Sequence, residues 1–351
     1  MKIVILGDAL VSASSLLTVA QNLNFPNPDN QPVTFQTFEW FADLAKPDFQ
    51  AKILEIESHG PENLPLPAGF ADAMTTADYL LVHIAPVPQR VIEGASHLKL
   101  IGTCRGGLEH IALESCRQQQ IKLIHVIRNA EPVADFTLGM IIAETRNIAR
   151  SHYGIKQGQW LKTFPNDPYK TTLDQLTVSL IGLGHIGKRL ARKLSALNMT
   201  VLAHDPFVSA ADLEGADLPI TLVSLQEAFK QGDVISLHLR LTPDTYHFVD
   251  EALLSLMTPD SYLINSARAG LIKKSALLTV LQKQQIAGAA LDVAWIEPLP
   301  ADDPFLSLDN VTLTSHLAGD TIDAIPRSPE MLAHELHTYF ATGKSDFLYL
   351  S

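Results

Sequence analysis

Three glycines, at 182, 184 and 187, stand in the stretch SLIGLGHIGKRLARKLSALNMTVLAHD (residues 179–205), which ends on Asp205. The spacing G-x-G-x-x-G suits a backbone that must cradle a pyrophosphate. Gly182 allows a tight turn out of the strand TVSLI, Gly184 lets the main chain approach the phosphates, and Gly187 lets the next helix pack close on that strand. The helix from about His185 aims free N–H groups and its positive dipole end at the anion. Asp205 closes a second strand, TVLAHD, eighteen residues after Gly187. A carboxylate there accepts from both hydroxyls of an adenosine ribose and repels a 2′-phosphate. A glycine triplet alone also fits a tight structural turn. Strand, glycines, helix, strand and acid in register point to a dinucleotide, NAD ahead of NADP.

Farther along, Arg268 lies in INSARAG, Asp292 and Glu297 in LDVAWIEPLP, and His316 in TLTSHLAG. Each follows a strand-like run, and open α/β sheets bind ligands beyond the carboxyl ends of their strands. Singly, each has a plainer reading: Arg268 as a surface ion pair, Glu297 before proline as an exposed turn residue, His316 as a hydrogen-bonded structural histidine. Their joint placement around one cofactor site favours chemistry.

These residues need elements to hold them. From Leu176 the chain reads as a regular βαβ series, with strand-like runs TVSLIG, TVLAHD, VISLHL, SYLINSA, AGAALDVA and VTLTSHL, and helical stretches such as KRLARKLSALN and KSALLTVLQKQQ between them. The first 127 residues alternate too, with MKIVIL, ADYLLVHI, LKLIGTC and KLIHVI as buried parallel strands. Residues 133–160 read as one long proline-free helical stretch, and the residues from Pro326 as one helix and a tail. In SPEMLAHELHTYF, Ser328 is placed to cap the helix with Pro329 at its first position.

A chain of 351 residues exceeds one ordinary core, so two domains are expected. Lys and Arg total 26 against 38 Asp and Glu, a net charge of 26 − 38 = −12, which argues against nucleic acid or an anionic membrane as partner. Cys104 and Cys116 form no C-x-x-C pair and no zinc spacing, which fits a reducing compartment. The N-terminal MKIVILGDAL is too short in apolar residues for a signal peptide, and no run reaches the roughly 18 apolar residues of a membrane helix. The expectation is a cytoplasmic protein with no membrane partner. No metal site is expected: HELH at 334–337 has no third ligand in view and reads as a solvated helix face.

The segments VAD, GQW (158–160), GLGHIG with Asp205, SLHLRLTPDT, INSARAG, DVAWIEP and SHLAG, in this order, resemble the D-isomer-specific 2-hydroxyacid dehydrogenases. The resemblance is clearest from Val133 to Gly319; in the first 130 residues it is weak, chiefly IGTCRGGLEHIAL. It implies an α/β architecture, with a Rossmann dinucleotide-binding domain (130–325) inserted into a flavodoxin-like substrate domain (1–129 and 326–351). It implies an active site in the cleft between them, closed by hinge motion, and a homodimer formed through the dinucleotide domain.

The resemblance also implies roles. Arg268 binds the carboxylate of a 2-keto or 2-hydroxy acid with its planar fork and polarises the carbonyl. His316 is the acid/base that protonates the oxyanion during reduction, and Glu297 pairs with it and favours its charged form. Asp292 accepts from the nicotinamide carboxamide side. Gly182, Gly184, His185, Ile186 and Gly187 hold the pyrophosphate; Asp205, Leu239 and Arg240 lie toward the adenosine; Ser266, Ala267 and Gly319 line the nicotinamide. Gly106 and Gly107 offer backbone N–H groups to the substrate carboxylate. The sequence departs from the family at four places. Arg240 replaces a usual proline and would either pair with Asp205 or tolerate a 2′-phosphate, leaving NADP possible. Ala269 replaces a usual glycine. Arg105 replaces a small residue and reads as a surface arginine or as an extra anchor for a second acidic group. DAIPRSPEML puts two prolines where the family runs one helix. A non-catalytic NAD-sensing protein on the same fold, or a reductase preferring NADPH, is the rival reading.

Overall fold

The computed structural model describes residues 1–28, 30–213 and 218–350. Two compact units are formed, one from Met1–Arg128 together with the chain from Thr321 onward, the other from Asn129–Asp320.

The first unit opens with β1 (Lys2–Asp8), β2 (Thr34–Trp40), β3 (Tyr79–Val82), β4 (Leu100–Thr103) and β5 (Lys122–His125). β3 and β4 are buried along their whole length, as strands covered by helices on both faces must be, and their apolar runs make them legible in sequence. The five pair in parallel in the order β2-β1-β3-β4-β5, the flavodoxin-like arrangement.

The second unit contains β6 (Thr177–Ile181), β7 (Thr200–His204), β8 (Thr221–Leu222), β9 (Val234–Leu237), β10 (Tyr262–Asn265), β11 (Gly288–Leu291) and β12 (Val311–Leu313). Its sheet order is β12-β11-β10-β9-β6-β7-β8, with every pair parallel. This is the doubly wound dinucleotide-binding order, in which the direction of winding reverses between β6 and β9. The chain then returns to the first sheet, where β13 (Leu348–Leu350) pairs antiparallel with the edge of β5. A Rossmann sheet is therefore inserted in a flavodoxin-like one. No helix among the described residues is long and apolar enough to cross a membrane.

Four expectations change. β2 was not legible as a strand because its sequence, TFQTFEW, is mostly exposed and polar at the sheet edge. The long helical stretch is two helices, Ala130–Thr145 and Ile148–Lys156. Between them Asn147 takes the left-handed φ of 58°, and its buried side-chain amide donates to Asn166 Oδ1 at 2.7 Å, a bond that favours the break. The tail is not bare, since it forms β13. Ser328 is the first residue of the helix Ser328–Thr342 rather than its cap; its hydroxyl donates backward to Ile325 O at 2.7 Å.

Candidate active site

The glycine loop follows β6 at the reversal point of the second sheet. Gly182 has φ +100°, and a Cβ there would lie 2.8 Å from His238 O, so only glycine makes this turn. A Cβ on Gly187 would come within 2.3 Å of Gly182 O, which shows why the helix His185–Ala196 can pack so close. Gly184 differs, since a Cβ there meets no protein atom within 4 Å. Gly184 is the N-cap of an α-helix, whose N-terminal end favours an anion. A cradle tight at two glycines and open at the third fits a pyrophosphate. His185 and Ile186 form the helix's half-buried first turn.

Asp205 follows β7. Its Oδ2 accepts from Leu183 N at 2.8 Å and its Oδ1 from Phe207 N at 2.9 Å. Two amides thus fix the carboxylate beside the glycine loop, with lone pairs left for a diol. A hollow of about 330 Å³ lies against it, lined in part by Val208, Leu222, Ser224 and Glu227. Leu239, half-buried, packs beneath the turn, with its Cδ2 3.2 Å from where a Gly182 Cβ would sit. Arg240 is exposed, and among the described residues it makes no ion pair, so the expected pairing with Asp205 does not form; Asp205 is instead turned toward backbone amides.

Arg268, Glu297 and His316 all belong to this unit. Arg268 follows β10 and caps a short 3₁₀ turn, Ala269–Leu271, while Asn265 braces the loop by donating to Arg268 O and accepting from Ala267 N, both at 3.0 Å. Its exposed guanidinium donates only to Ala267 O at 2.8 Å and meets no carboxylate among the described residues. His316 follows β12 at φ +59°, a left-handed conformation uncommon for a residue with a Cβ. Its Nδ1 lies 2.9 Å from Glu297 Oε2, and both side chains remain nearly half exposed, at 45% and 43%. Glu297 Oε1 accepts from Ala294 N at 3.0 Å. That backbone bond, then the His316 bond, with smaller help from the Arg268 charge, holds the Glu297 carboxyl below the usual range. The three groups therefore share one electrostatic neighbourhood. With Nδ1 engaged, Nε2 of His316 is the nitrogen left for proton transfer.

Asp292, after β11, is fully buried. Its Oδ1 accepts from Thr314 Oγ1 at 2.6 Å and Leu317 N at 2.9 Å, and its Oδ2 from Ala318 N at 2.8 Å. These bonds tie the carboxylate to the loop that carries His316. Ser266 is buried with its hydroxyl 2.7 Å from Thr137 Oγ1; since Thr137 donates to Val133 O, Ser266 is the donor of this pair. Ala267 is half-buried beside it, and Gly319 sits where a Cβ would press within 3.2 Å of Asn129 Nδ2.

In the first unit, Arg105 follows β4 but is no surface arginine. Its side chain is 12% exposed and its Nη2 lies 2.8 Å from Glu57 and 3.5 Å from Glu109. Two glutamates already answer its charge, which removes the reason to read it as a free anchor. Gly106 and Gly107 are half-buried next to it, and Gly106 O takes a bond from His125 at 3.1 Å. The sequence reading missed a buried chain on the same edge. Asp8 ends β1, His83 follows β3 and Arg128 follows β5. His83 Nδ1 lies 3.0 Å from Asp8 Oδ2, and Arg128 Nη1 lies 3.2 Å from His83 Nε2. The available signal was a polar residue just beyond each of three apolar runs.

The family profile "D-isomer specific 2-hydroxyacid dehydrogenase, NAD binding domain" matches residues 138–318. A glyoxylate reductase of Thermofilum pendens is 37% identical over 256 residues, 71% of this chain and 74% of that protein. A hydroxypyruvate reductase of Thermotoga maritima is 34% identical over 252 residues, 70% of this chain and 79% of that protein. Among solved structures, a D-isomer specific 2-hydroxyacid dehydrogenase from Lactobacillus delbrueckii, in its NAD-complexed form, shares the fold with a TM-score of 0.68 at 21% identity, covering 99% of each chain. This chain belongs to the D-isomer-specific 2-hydroxyacid dehydrogenases and is an NAD(P)-dependent oxidoreductase.

Proposed function

We propose that this dehydrogenase reduces a 2-keto acid to the D-2-hydroxy acid, and runs the reverse reaction, with NADH preferred. The observation that carries the reading is the His316–Glu297 pair beside an Arg268 guanidinium that forms no ion pair among the described residues. Nicotinamide, when bound, supplies the hydride. Arg268 takes the substrate carboxylate through two parallel N–H donors and draws charge from the neighbouring carbonyl. His316 delivers a proton from Nε2 to the developing alkoxide, and Glu297 stabilises the imidazolium through Nδ1. In oxidation His316 takes the proton back. Asp292 is a positioning residue: it fixes the 314–318 loop and with it His316.

Asp205 supports NADH, because a fixed carboxylate beside the glycine loop repels a 2′-phosphate. Arg240 gives a second reading some support, since an exposed arginine with no acidic partner among the described residues can accept that phosphate. We assign the unit Asn129–Asp320 as the dinucleotide domain and the other as the substrate domain. Exposed Ile148, Tyr153, Ile155, Trp160 and Leu161 in the dinucleotide unit support a homodimer. Two free, buried cysteines suit the reducing cytoplasm. The substrate names of the relatives, glyoxylate and hydroxypyruvate, set the first acids to try. The test is oxidation of NADH and NADPH against a panel of 2-keto acids. Turnover on at least one, faster with NADH, is expected; no turnover on any would refute the reading.

A further inference from the structure

We propose that Lys274 is a positioning residue for the acid/base pair. It clamps the segment that carries Glu297 to the segment that carries Arg268, and so sets where the Glu297 carboxylate meets His316. The proposal rests on the function just given, since it assigns a role within that proton transfer. Every residue it uses belongs to the unit Asn129–Asp320.

Glu297 has little local support. Ile296, Glu297 and Pro298 are all exposed, so packing at these positions does little to fix the backbone beneath the carboxylate. Among the described residues the side chain meets Ala294 N at 3.0 Å and His316 Nδ1 at 2.9 Å. The segment is held on either side instead. Before Glu297, the half-buried Trp295 stacks on Phe305, with ring centroids 5.2 Å apart, and donates from Nε1 to Ile272 O at 3.0 Å. After it, the buried Asp303 accepts from Phe305 N at 3.1 Å.

Lys274 touches both anchors. Its Nζ lies 2.5 Å from Asp303 Oδ2 and 5.7 Å from the centre of the Trp295 ring, a cation over an aromatic face. It is the first residue of the helix Lys274–Gln282, where the positive end of the helix dipole disfavours a cation. A lysine there turns out into solvent unless something holds it, and here a carboxylate 2% exposed and an indole face do so. The ammonium in turn supplies the counter-charge without which the Asp303 carboxylate is costly to bury. Ile272 and Lys274 stand just past the 3₁₀ turn Ala269–Leu271 that Arg268 caps. One short stretch of chain thus joins the group assigned to the substrate carboxylate to the clamp on the Glu297 segment. The charge beside the acid/base pair is Arg268; beside the clamp, Lys273 is paired with Glu251 at 2.8 Å.

The experiment places Lys274→Met, which keeps an unbranched chain and removes the charge, in wild type and in Glu297→Gln. It reads the pH profile of kcat/KM for reduction of glyoxylate and hydroxypyruvate with NADH. A clamp that acts through Glu297 moves the alkaline limb to lower pH in the wild-type background and no further in Glu297→Gln, as coupled residues behave. Misplacing Glu297 lowers kcat on the order of 10- to 100-fold, with KM and the NADH dissociation constant near wild type. Lys274→Arg keeps a cation on the indole face and restores both the rate and the limb. A lysine that only stabilises the fold gives a lower melting temperature and an unmoved limb; that result overturns the proposal, and so does a shift of equal size in both backgrounds. If Lys274→Met folds poorly, Trp295→Phe takes its place: it removes the indole donor to Ile272 O and keeps a ring for Phe305 and Lys274. A smaller shift of the same sign is then expected, and an unmoved limb overturns the proposal. Hydrogen exchange at the Ala294 amide, which Glu297 Oε1 engages, needs no turnover. If wild type reduces neither acid, the keto-acid reading fails by itself and the clamp stands on that exchange. Faster exchange at Ala294 in Lys274→Met, with β6 unchanged, upholds the clamp, and equal exchange overturns it.

Discussion

His316 is held by Glu297 at 2.9 Å while its own backbone sits at φ +59°. A side chain with a Cβ reaches that conformation only when its surroundings over-determine it, at roughly 1–3 kcal/mol. Here the surroundings are the carboxylate at Nδ1 and the Asp292 bonds to Thr314, Leu317 and Ala318 on either side. Two acids from the one segment that follows β11 thus aim one imidazole, Glu297 by its ring and Asp292 by its loop.

The first prediction concerns pH. The Glu297 carboxyl is held below the ordinary range, chiefly by the Ala294 amide and next by His316. A depressed carboxyl keeps its charge to lower pH than usual, so Glu297 is charged through the neutral range and loses that charge only as pH falls through the depressed value. Reduction consumes an imidazolium, so kcat/KM for the keto acid falls toward alkaline pH, and oxidation shows the opposite limb. Glu297→Gln removes the charge and keeps the shape, and the alkaline limb of reduction moves to lower pH. His316→Ala loses roughly 10²- to 10⁴-fold in turnover while NADH still binds. Superimposable pH profiles for wild type and Glu297→Gln would show that the pair does not govern proton transfer.

A second prediction separates two glycines of one motif. Gly184→Ala adds a methyl to space that holds no protein atom, whereas Gly187→Ala drives one into Gly182 O. The first variant keeps its melting temperature and loses NADH affinity. The second unfolds earlier, by about 1–3 kcal/mol, the usual range for overpacking. Thermal scans beside NADH titrations check both; a destabilised Gly184→Ala with normal NADH affinity contradicts the assignment of the cradle.

Much of this site was legible because its signals are local. Gly182, Gly184, Gly187 and Asp205 lie within one βαβ unit, and spacing alone picks them out as a candidate dinucleotide cradle. Arg268, Glu297 and His316 could be picked out as polar residues just past apolar runs. What could not be read was long-range or conformational. Asp8, His83 and Arg128 come from three separated strand ends and carry no motif. The exposed alternation of β2 looks like loop, because an edge strand has one poorly covered side. The left-handed turn at His316 leaves no mark in residue type, and neither does the inward facing of Asp292, since aspartate after a strand is as often exposed.

The third prediction concerns the cofactor. Asp205→Ala weakens NADH and narrows its advantage over NADPH, since both the diol acceptor and the repelling charge are gone. Arg240→Ala lowers NADPH affinity and leaves NADH affinity close to wild type, because no acid among the described residues ties Arg240 into the NADH side. Fluorescence titration with both cofactors settles each variant, and equal NADH affinity in wild type and Asp205→Ala would sink the assignment.

The last prediction tests whether Asp292 acts through the loop or on the cofactor. Its two oxygens accept one hydroxyl and two amides from residues 314–318 and are shielded from solvent. Asp292→Asn preserves volume but turns an amide donor toward an N–H or a hydroxyl that expects an acceptor. A buried donor left unmatched costs about 1–3 kcal/mol, and the strain at His316 gives the loop an easy way to relax, by leaving its left-handed conformation. The consequence falls on kcat, because a misaimed Nε2 slows proton delivery while the glycine loop and Asp205 still bind NADH. If Asp292 instead touched the nicotinamide, the dissociation constant of NADH would rise in step with the loss of rate. The variant is therefore measured for both, with hydrogen exchange at residues 314–318 as a third readout. Faster exchange there, lower kcat and unchanged NADH affinity are the expected set. Tight exchange with weakened NADH binding would return Asp292 to the cofactor.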